Sequence, residues 1–575
     1  MKEKKEPKNL ILSSLPFIAS AIMLTIIQPP FNISYLAWIS WVPFIYTSAN
    51  KNNRHFTYRA CYIIALAYWL GNLYWMSYVT VAGWITFCIY TAAFWPLLAF
   101  ALRFAIGKIP LFIAAPIFIV AAERLQGVFL GGFFWKFLAH SQYQNIKLIQ
   151  IADIFGAAGV SFLIAMVSGL IAEILLNRSK KKISIINLAA QTIIVASAIV
   201  ASVMYSNYRI EQTPANITPG PVVGAVQTNF PQSFKNSELQ KDSDFMLNDL
   251  FQKNKESAQA GAEIIAWPET LVQASLDKRI LKVVEQNSKH LTYHKMIANH
   301  AKDTAYILAG ASGGSTEINE KLEIYLDKKY NSAFLYTPDG SQAPCQYDKI
   351  HLVPFGEVLP FKKDIPWLHE FFVSLTPFEY DYSLDYGTHY TIFEMTTRKS
   401  PTPKKYRFSV IICYEDTVPS LNRRFVLDEN SNKQIDWIFN ISNDGWFVKF
   451  KESKTIPTIE LPQHTVVCVF RAIENRISIV RSVNCGISGM VDTLGRFRND
   501  YTAGNLPKKV MQRKAIAGWF NDIVPIDKRV TFFSKYGQWL DSYCVVFLLI
   551  IFCWAVIHKF NGKRTGKDSG NEKNK

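Results

Sequence analysis

The chain has 575 residues, with 62 Lys and Arg against 45 Asp and Glu, a formal charge of +17, and is 49% hydrophobic and 14% aromatic. Its length admits two or more domains. The apolar residues lie in long charge-poor runs before residue 206 and near the C-terminus, which excludes a wholly soluble protein. The basic excess sits in turns and tails and not on a recognisable nucleic-acid module, which argues against a nucleic-acid partner.

A helix needs about 20 apolar residues to cross the hydrocarbon core. Candidate spans lie near residues 10–28, 34–49, 57–78, 83–106, 110–124, 157–176, 184–205 and 540–558. The second and fifth are short. "MKEKKEPK" precedes the first span, but "LTIIQPPF" follows it without a small-residue cleavage site, so an uncleaved helix is expected. Lys51, Arg54, Lys108, "NRSKKK" and the tail "HKFNGKRTGK" fall on one side of this arrangement, while the turns near 29–33 and 79–82 carry no charge. Basic loops mark the cytoplasmic side, so seven spans place residues 206–539 on the opposite side. The ionisable residues Glu123, Arg124, Asp153 and Glu173 fall mostly near span ends, where an interface role is expected.

From residue 220 the pattern alternates between strand and helix, as an α/β layered fold requires. "VVGAVQTNF" reads as a strand and "SELQKDSDFMLNDLFQKNKE" as an amphipathic helix. "AEIIAWPET" reads as a short buried strand ending in a turn. A helix is expected over "DKRILKVVEQNSKHLTYHKMIANHAKDT", then strands over "AYILAGAS", "NSAFLYTP", "FSVIICYED" and "IDWIFNISND". "PQHTVVCVFRAIENR" reads as a helix before "ISIVRSV" and "SGMVDTLG". His290 and His294 are four apart, but Leu291 stands where a HExxH motif needs Glu, so a solvated helix face is expected and not a metal site. The eight cysteines include no CxxC pair, which excludes zinc-ribbon and thioredoxin-like readings. A disulfide within the outer region stays open.

Three polar residues lie just beyond strand ends, where α/β sheets place ligands. Glu269 follows "IIAWP", Lys349 lies in "YDKIHLVPFGE", and Cys413 ends "FSVII". A thiol, a carboxylate and an amine are the components of covalent acyl chemistry: nucleophile, general base and oxyanion stabiliser. Glu415 and Asp416 follow Cys413 directly and would raise a thiol pKa, so its activators must come from distant strands. Taken singly, each residue has a plainer reading: a buried cysteine, a turn glutamate, a surface lysine.

In their local strings these residues resemble the nitrilase (carbon–nitrogen hydrolase) superfamily, whose Glu–Lys–Cys triad sits on an α-β-β-α sandwich. Its three members match Glu269 in "WPET", Lys349 in "YDKIHLVPFGE" and Cys413 in "ICYED". The resemblance continues through "FNISNDGWF", "RAIENRISIVRS" and "NCGISGMVDTLGR" and covers roughly residues 220–505. With helices on both sides, and with "GGFFWKFLAHSQYQNIKLIQIADIFGAAGVSFL" before it, the chain resembles the bacterial apolipoprotein N-acyltransferase family.

That resemblance implies a polytopic α-helical membrane domain of about eight transmembrane helices, seven N-terminal and one C-terminal, with an extracytoplasmic nitrilase-like sandwich. The implied division is 1–205 for the membrane domain, 220–510 for the catalytic domain, 540–558 for the last helix and 559–575 for a basic cytoplasmic tail. It implies a multi-pass enzyme of the bacterial inner membrane, with its catalytic domain on the periplasmic side. The implied reaction needs no cofactor or metal. It moves an acyl chain from a phospholipid, normally phosphatidylethanolamine, through a Cys413 thioester to the α-amino group of a diacylglyceryl-cysteine apolipoprotein. Glu269 would accept protons and Lys349 would stabilise the oxyanion. Glu357, Tyr414, Glu415 and Asn331 match as supporting residues.

The chain departs from that family at three places. Thr228 and Asn236 stand where Gly and Trp are usual, a long charged link "VKFKESKTIPTIELP" precedes Gln463 and His464, and Cys485 replaces a common Thr. The link is expected to alter a lid over the site, and Cys485 is expected to be structural. Two rival readings differ in class. One is a membrane-tethered amidase or nitrilase using water, told apart by its acceptor. The other is a transporter or binding scaffold, disfavoured by the scarcity of ionisable residues within the spans.

Overall fold

The computed structural model describes residues 10–49, 54–180, 183–232, 242–318, 324–359, 361–374, 381–399, 402–452 and 454–554. Asn236 and the tail 559–575 lie outside these residues. In the N-terminal region, the runs Val81–Ala105, Leu111–Gly131, Ala157–Arg178 and Ile185–Glu211 are long and apolar enough to cross a membrane. Ser14–Ile26 and Trp539–Trp554 are shorter apolar helices, and Arg54–Asn72 is a further helix of 19 residues.

One expected span is interrupted and another is bent, each near a proline. The stretch expected as a helix over 34–49 consists of three short pieces, Ser34–Leu36, Ala37–Ser40 and Val42–Ser48. Pro43 opens the third piece, where a missing N–H is tolerated; deeper inside it would break the ladder. Pro96 acts similarly: the run divides into Val81–Ala92 and Phe94–Ala105, one turn before the ring that would meet the carbonyl of residue 92. Aromatic rings fill the space between these pieces: Trp41, Phe44 and Trp95 pack with centroids 5.0–5.7 Å apart.

The strands run in chain order as β1 (Ile217–Gln227), β2 (Ile264–Ala266), β3 (Val272–Ser275), β4 (Tyr306–Ile318), β5 (Ile324–Tyr336) and β6 (Gln342–Asp348). They continue as β7 (Ile392–Thr396), β8 (Lys405–Ile412), β9 (Trp437–Asn443), β10 (Lys449–Lys451), β11 (Lys454–Ile456), β12 (Ser478–Asn484), β13 (Gly489–Val491), β14 (Ala503–Gly504) and β15 (Gly518–Asp527). One sheet has the order β14-β15-β1-β2-β4-β5-β6, with β3 on β4; the second has the order β13-β12-β9-β8-β7. The long charged link is neither open loop nor helix: β10 and β11 pair as an antiparallel hairpin.

The two sheets lie face to face. Val223, Ala225, Ile264 and Ala266 of one share a core with Val410, Ile412, Phe439 and Val480 of the other, and Ser482 Oγ in β12 donates to the carbonyls of Val226 and Ala266. Helices Ser243–Gln259 and Lys289–Asp303 cover the outer face of the first sheet through Leu247, Leu250, Tyr293 and Ile297. The expected single helix over 277–304 is divided, with Lys278–Leu281 separate from Lys289–Asp303. Helix Glu460–Asn475 packs on the second sheet and is buried at every position, because its other face meets the membrane-region segments. The layers are therefore α-β-β-α, with the membrane region beneath the second helical layer.

Candidate active site

Strands β2, β6, β8 and β9 all end at one edge of the sandwich, and the polar residues that follow them converge there. Trp267 and Pro268 follow β2 and turn the chain so that Glu269 is buried. β4 passes very close behind this turn: a Cβ on Gly310 would lie 2.4 Å from the Pro268 carbonyl and 2.8 Å from Glu269 Cα. Glycine is therefore required for close approach at that position.

Glu269 is 5% exposed. Its Oε1 accepts from Asn331 Nδ2 at 2.6 Å and from Lys349 Nζ at 3.2 Å, and its Oε2 accepts from the Asn443 backbone N–H at 2.8 Å. Lys349, wholly buried, also donates to Glu357 Oε1 at 2.9 Å. Asn331 Nδ2 bridges the two carboxylates, reaching Glu357 Oε1 at 2.9 Å, and the Val353 N–H anchors Glu357 Oε2 at 2.9 Å. Burial opposes the Lys349 charge, but Glu269 and Glu357 outweigh it and hold the ammonium above its ordinary pKa. Burial pushes the Glu269 carboxyl up against the pull of Lys349. The result is a lysine that stays charged beside a carboxylate with raised affinity for a proton.

Cys413 stands at the end of β8 with φ 53°. That left-handed conformation is rare for a residue with a side chain and marks functional turns. Burial pushes the thiol pKa up and Glu269 adds to it; Lys349 and His464 pull it down. The thiol is thus in electrostatic reach of both Glu269 and Lys349 and is a neutral S–H at physiological pH. Asn440 Nδ2 donates to the Cys413 carbonyl at 3.2 Å and helps hold the turn.

The carboxylate of Glu415 faces away from the thiol. It accepts from Tyr347 Oη at 2.8 Å, from the N–H groups of Ile350 and His351 at 2.8 and 2.9 Å, and from Ile412 N–H at 2.7 Å. One buried side chain therefore ties the residues following Lys349 to the strand end that carries Cys413. Burial raises its pKa to about 7, against the lowering effect of these donors. Tyr414 turns toward the membrane region. Its hydroxyl accepts from Phe134 N–H at 3.2 Å and donates to the Gly132 carbonyl at 3.1 Å, and its ring stacks on Phe133 with a 13° interplanar angle.

Every site residue expected from the sequence thus lies in one connected region. The structure adds partners whose roles the local strings do not reveal: the Asn443 N–H on Glu269, Tyr347 on Glu415, and a buried charged cluster behind Cys413. In that cluster Asp416 accepts from His464 Nε2 at 3.0 Å, and Arg481 pairs with Asp416. Asp444 and Glu460 face His464 Nδ1 at 3.2 and 3.3 Å. Asp444, Glu460 and His464 bring ligand-type atoms together; Asp416 and Asp444 outweigh the burial of His464 and raise its pKa well above the usual value, and Arg481 supplies a second cation to the cluster.

One expectation needs correction, and three other positions find their places. His290 and His294 are half-buried and not fully solvated: His290 Nδ1 accepts from Ser275 N–H at 2.9 Å, and His294 Nδ1 pairs with Tyr336 Oη at 2.8 Å. All eight cysteines are unpaired, so the outer region holds no disulfide in this structure. Cys485 is buried, at φ 57°, with its Sγ 3.6 Å from Asn484 Oδ1. Thr228, where Gly is usual, hydrogen-bonds Asn484 Oδ1 at 2.9 Å through its hydroxyl.

Two family models match the chain. The apolipoprotein N-acyltransferase N-terminal domain matches residues 20–170 and the carbon-nitrogen hydrolase model matches residues 223–504. The chain belongs to the apolipoprotein N-acyltransferase family. An apolipoprotein N-acyltransferase of Geobacter metallireducens is 26% identical over 94% of this chain and 95% of its own length. Apolipoprotein N-acyltransferase 1 of Treponema denticola is 23% identical over 96% and 97%, and the Rickettsia prowazekii enzyme 24% identical over 91% and 92%. Among solved structures, an amidase of Nesterenkonia AN1 from the nitrilase superfamily aligns at 12% identity over 56% of this chain and 94% of that chain, with a TM-score of 0.32. For a member of the apolipoprotein N-acyltransferase family, the joint between the two matched regions carries the most weight: Tyr414, one residue from the thiol, is bonded to the segment that ends the helix Leu111–Val128.

Proposed function

We propose that this protein transfers a fatty acyl chain from a membrane phospholipid to the α-amino group of the diacylglyceryl-cysteine of apolipoproteins, through a thioester on Cys413. The observation that carries this reading is the convergence of Cys413, in its left-handed turn, with the buried Glu269–Lys349–Glu357 array, on the side of the sandwich facing apolar helices. The names of the relatives and the match to the apolipoprotein N-acyltransferase N-terminal domain support lipoprotein acylation over the amidase alternative.

In the first step Glu269 takes the thiol proton as Cys413 sulfur attacks an ester carbonyl of the phospholipid. The thiol is neutral beforehand, so the base acts during attack and does not meet a preformed thiolate. Lys349 is held charged by two carboxylates and faces the oxyanion; the backbone N–H of Tyr414 is a second donor. The ester C–O bond breaks, the proton passes from Glu269 to the departing oxygen, and a lysophospholipid leaves. In the second step the lipoprotein amine attacks the thioester, gives a proton to Glu269, and the Cys413 sulfur leaves and regains its proton. Glu357 and Asn331 keep Lys349 and Glu269 in register. The covered, apolar surroundings favour amine over water.

Phosphatidylethanolamine is the proposed donor. The proposed setting is the bacterial inner membrane, with the sandwich on the periplasmic side. Residues 1–205 and 540–558 form the membrane part, 220–510 the catalytic part, and 559–575 the cytoplasmic tail. The test is intact mass of the purified protein after incubation with phosphatidylethanolamine and no acceptor. A gain of one acyl chain that neutral hydroxylamine removes, absent in Cys413→Ala, is the expected result. A gain that persists in Cys413→Ala would assign the nucleophile elsewhere, and no gain would favour a hydrolase.

A further inference from the structure

The segment below the candidate active site carries a lysine that the acyl-transfer chemistry does not use. Lys136 has φ 56°, an unusual backbone for its residue type, within a loop tightly fastened on both sides. Gln126 Nε2 donates to the carbonyls of Phe133 and Trp135, and Gln28 Nε2 donates to that of Phe137. Trp135 Nε1 donates to Gln463 Oε1 at 3.1 Å. The Lys136 ammonium enters a cavity of about 60 Å³, walled by Trp41, Tyr68, Trp69, Trp95 and Leu98. It donates to Asn72 Oδ1 at 2.6 Å and lies 5.5 Å from the Tyr68 ring. Asn72 is aimed by its own amide, which donates to Thr25 Oγ1 at 2.9 Å and to the Tyr68 carbonyl at 2.8 Å. Glu123 lines the same cavity, but its Oε1 accepts from Leu138 N–H at 2.6 Å. Among the described residues no carboxylate pairs with Lys136.

Burial among aromatic rings without a counter-ion pushes the Lys136 pKa down to about 7; an anion at the donors that Asn72 leaves open would restore the full charge. The fitting counter-ion is a small anion arriving with an apolar tail. We propose that Lys136 binds the phosphodiester of the acyl-donor phospholipid and holds that lipid at the cavity mouth, with its ester carbonyl reachable by Cys413. The inference rests on the acyl-transfer reading above. Its chemistry separates the two substrates: the donor carries a phosphodiester, which the diacylglyceryl-cysteine of the acceptor lacks. Lys136 would therefore favour the donor in the first step; the lysophospholipid keeps the phosphodiester, and its release follows from the loss of one acyl chain's apolar contacts.

The test uses the full chain with Cys413→Ala, which cannot turn the donor over. Native mass spectrometry is run with equal dioleoyl phosphatidylethanolamine and dioleoylglycerol. Phosphatidylethanolamine should be retained in preference, Lys136→Met should lower its retention relative to dioleoylglycerol at least tenfold, and Lys136→Arg should preserve it. An unchanged ratio in Lys136→Met, or equal loss of both lipids, overturns the assignment. Displacement by inorganic phosphate without loss of affinity for the lipid tail overturns the lipid as ligand and leaves a free-anion site. Failure of the acyl-transfer reading looks different: the protein with Cys413 intact would form no thioester while Lys136-dependent retention of phospholipid persisted.

Discussion

At Cys413 burial and the nearby Glu269 both push the thiol toward its neutral form. A neutral thiol should resist iodoacetamide at pH 7 in the absence of lipid and should depend on Glu269 during attack. Glu269→Gln keeps the shape and removes the base, so the rate of thioester formation should fall by about 10²–10⁴-fold, read by the time course of intact mass. Glu415 behaves differently. Its folded pKa, about 7, lies above the ordinary glutamate value, so the folded chain holds a proton that the unfolded chain releases. Its favourable contribution is complete below about pH 4 and is lost as pH rises toward 7. The stability difference between wild type and Glu415→Gln should therefore shrink from pH 5 to pH 8, by up to about 3 kcal/mol, read by unfolding in detergent at each pH. A difference that grew with pH would reverse the assignment. These roles were unequally legible. The strings around Glu269, Lys349 and Cys413 mark the three proposed catalytic residues, but nothing in "CYED" says that Glu415 turns toward Tyr347.

At the scale of elements, the strand ends do the positioning. β2 ends at Ala266 and β4 runs beside it in parallel register, so the turn that carries Glu269 rests on Gly310. Gly310→Ala would push a methyl group against Pro268 and Glu269. Overpacking of this kind costs about 1–3 kcal/mol, and the displaced atoms belong to the proposed base. Thioester formation should fall at least tenfold while the melting temperature falls by only a few degrees; a fall in stability with full activity would contradict the positioning role. Helix Glu460–Asn475 teaches a related lesson. Its sequence reads as an amphipathic helix with polar Gln463, His464, Arg471 and Glu474, yet all its positions are buried. Those polar groups face partners on other elements: Trp135 for Gln463, Asp416 for His464 and the Ala157 N–H for Glu474.

At the scale of the whole molecule, an ion cluster joins the two matched regions. Asp153, between the membrane helices, accepts from Arg209 Nε at 2.8 Å and Arg476 Nη2 at 2.7 Å, with Tyr205 Oη at 2.7 Å on its other oxygen. Arg476 is fully buried. Asp153→Ala would leave that guanidinium without its carboxylate, at a cost of about 3–5 kcal/mol. The expected outcome is a lower melting temperature and earlier protease cleavage between residues 206 and 217, with the thioester still forming in the protein that remains folded. Unchanged stability would mean that Gln150 and the Thr493 carbonyl, which also hold Arg476, suffice.

By itself the sequence determined the layered α/β character of residues 220–505, the apolar helices before them, and the three strand-end residues. Strand alternation, apolar runs and short motifs are local patterns, and each is read within a few residues of chain. It did not determine that the run over 34–49 breaks at Pro43 and that over 83–106 bends near Pro96, that the charged link pairs as a hairpin, or that among the described residues no carboxylate pairs with Lys136. Those outcomes depend on which side chains meet after residues far apart in the chain pack together. The Asn443 N–H on Glu269 joins positions separated by 174 residues, and Tyr414 reaches Gly132 across 282. Backbone donors carry no residue signature, and a buried charge reveals its partner only when burial has removed water and left the nearest polar group to replace it.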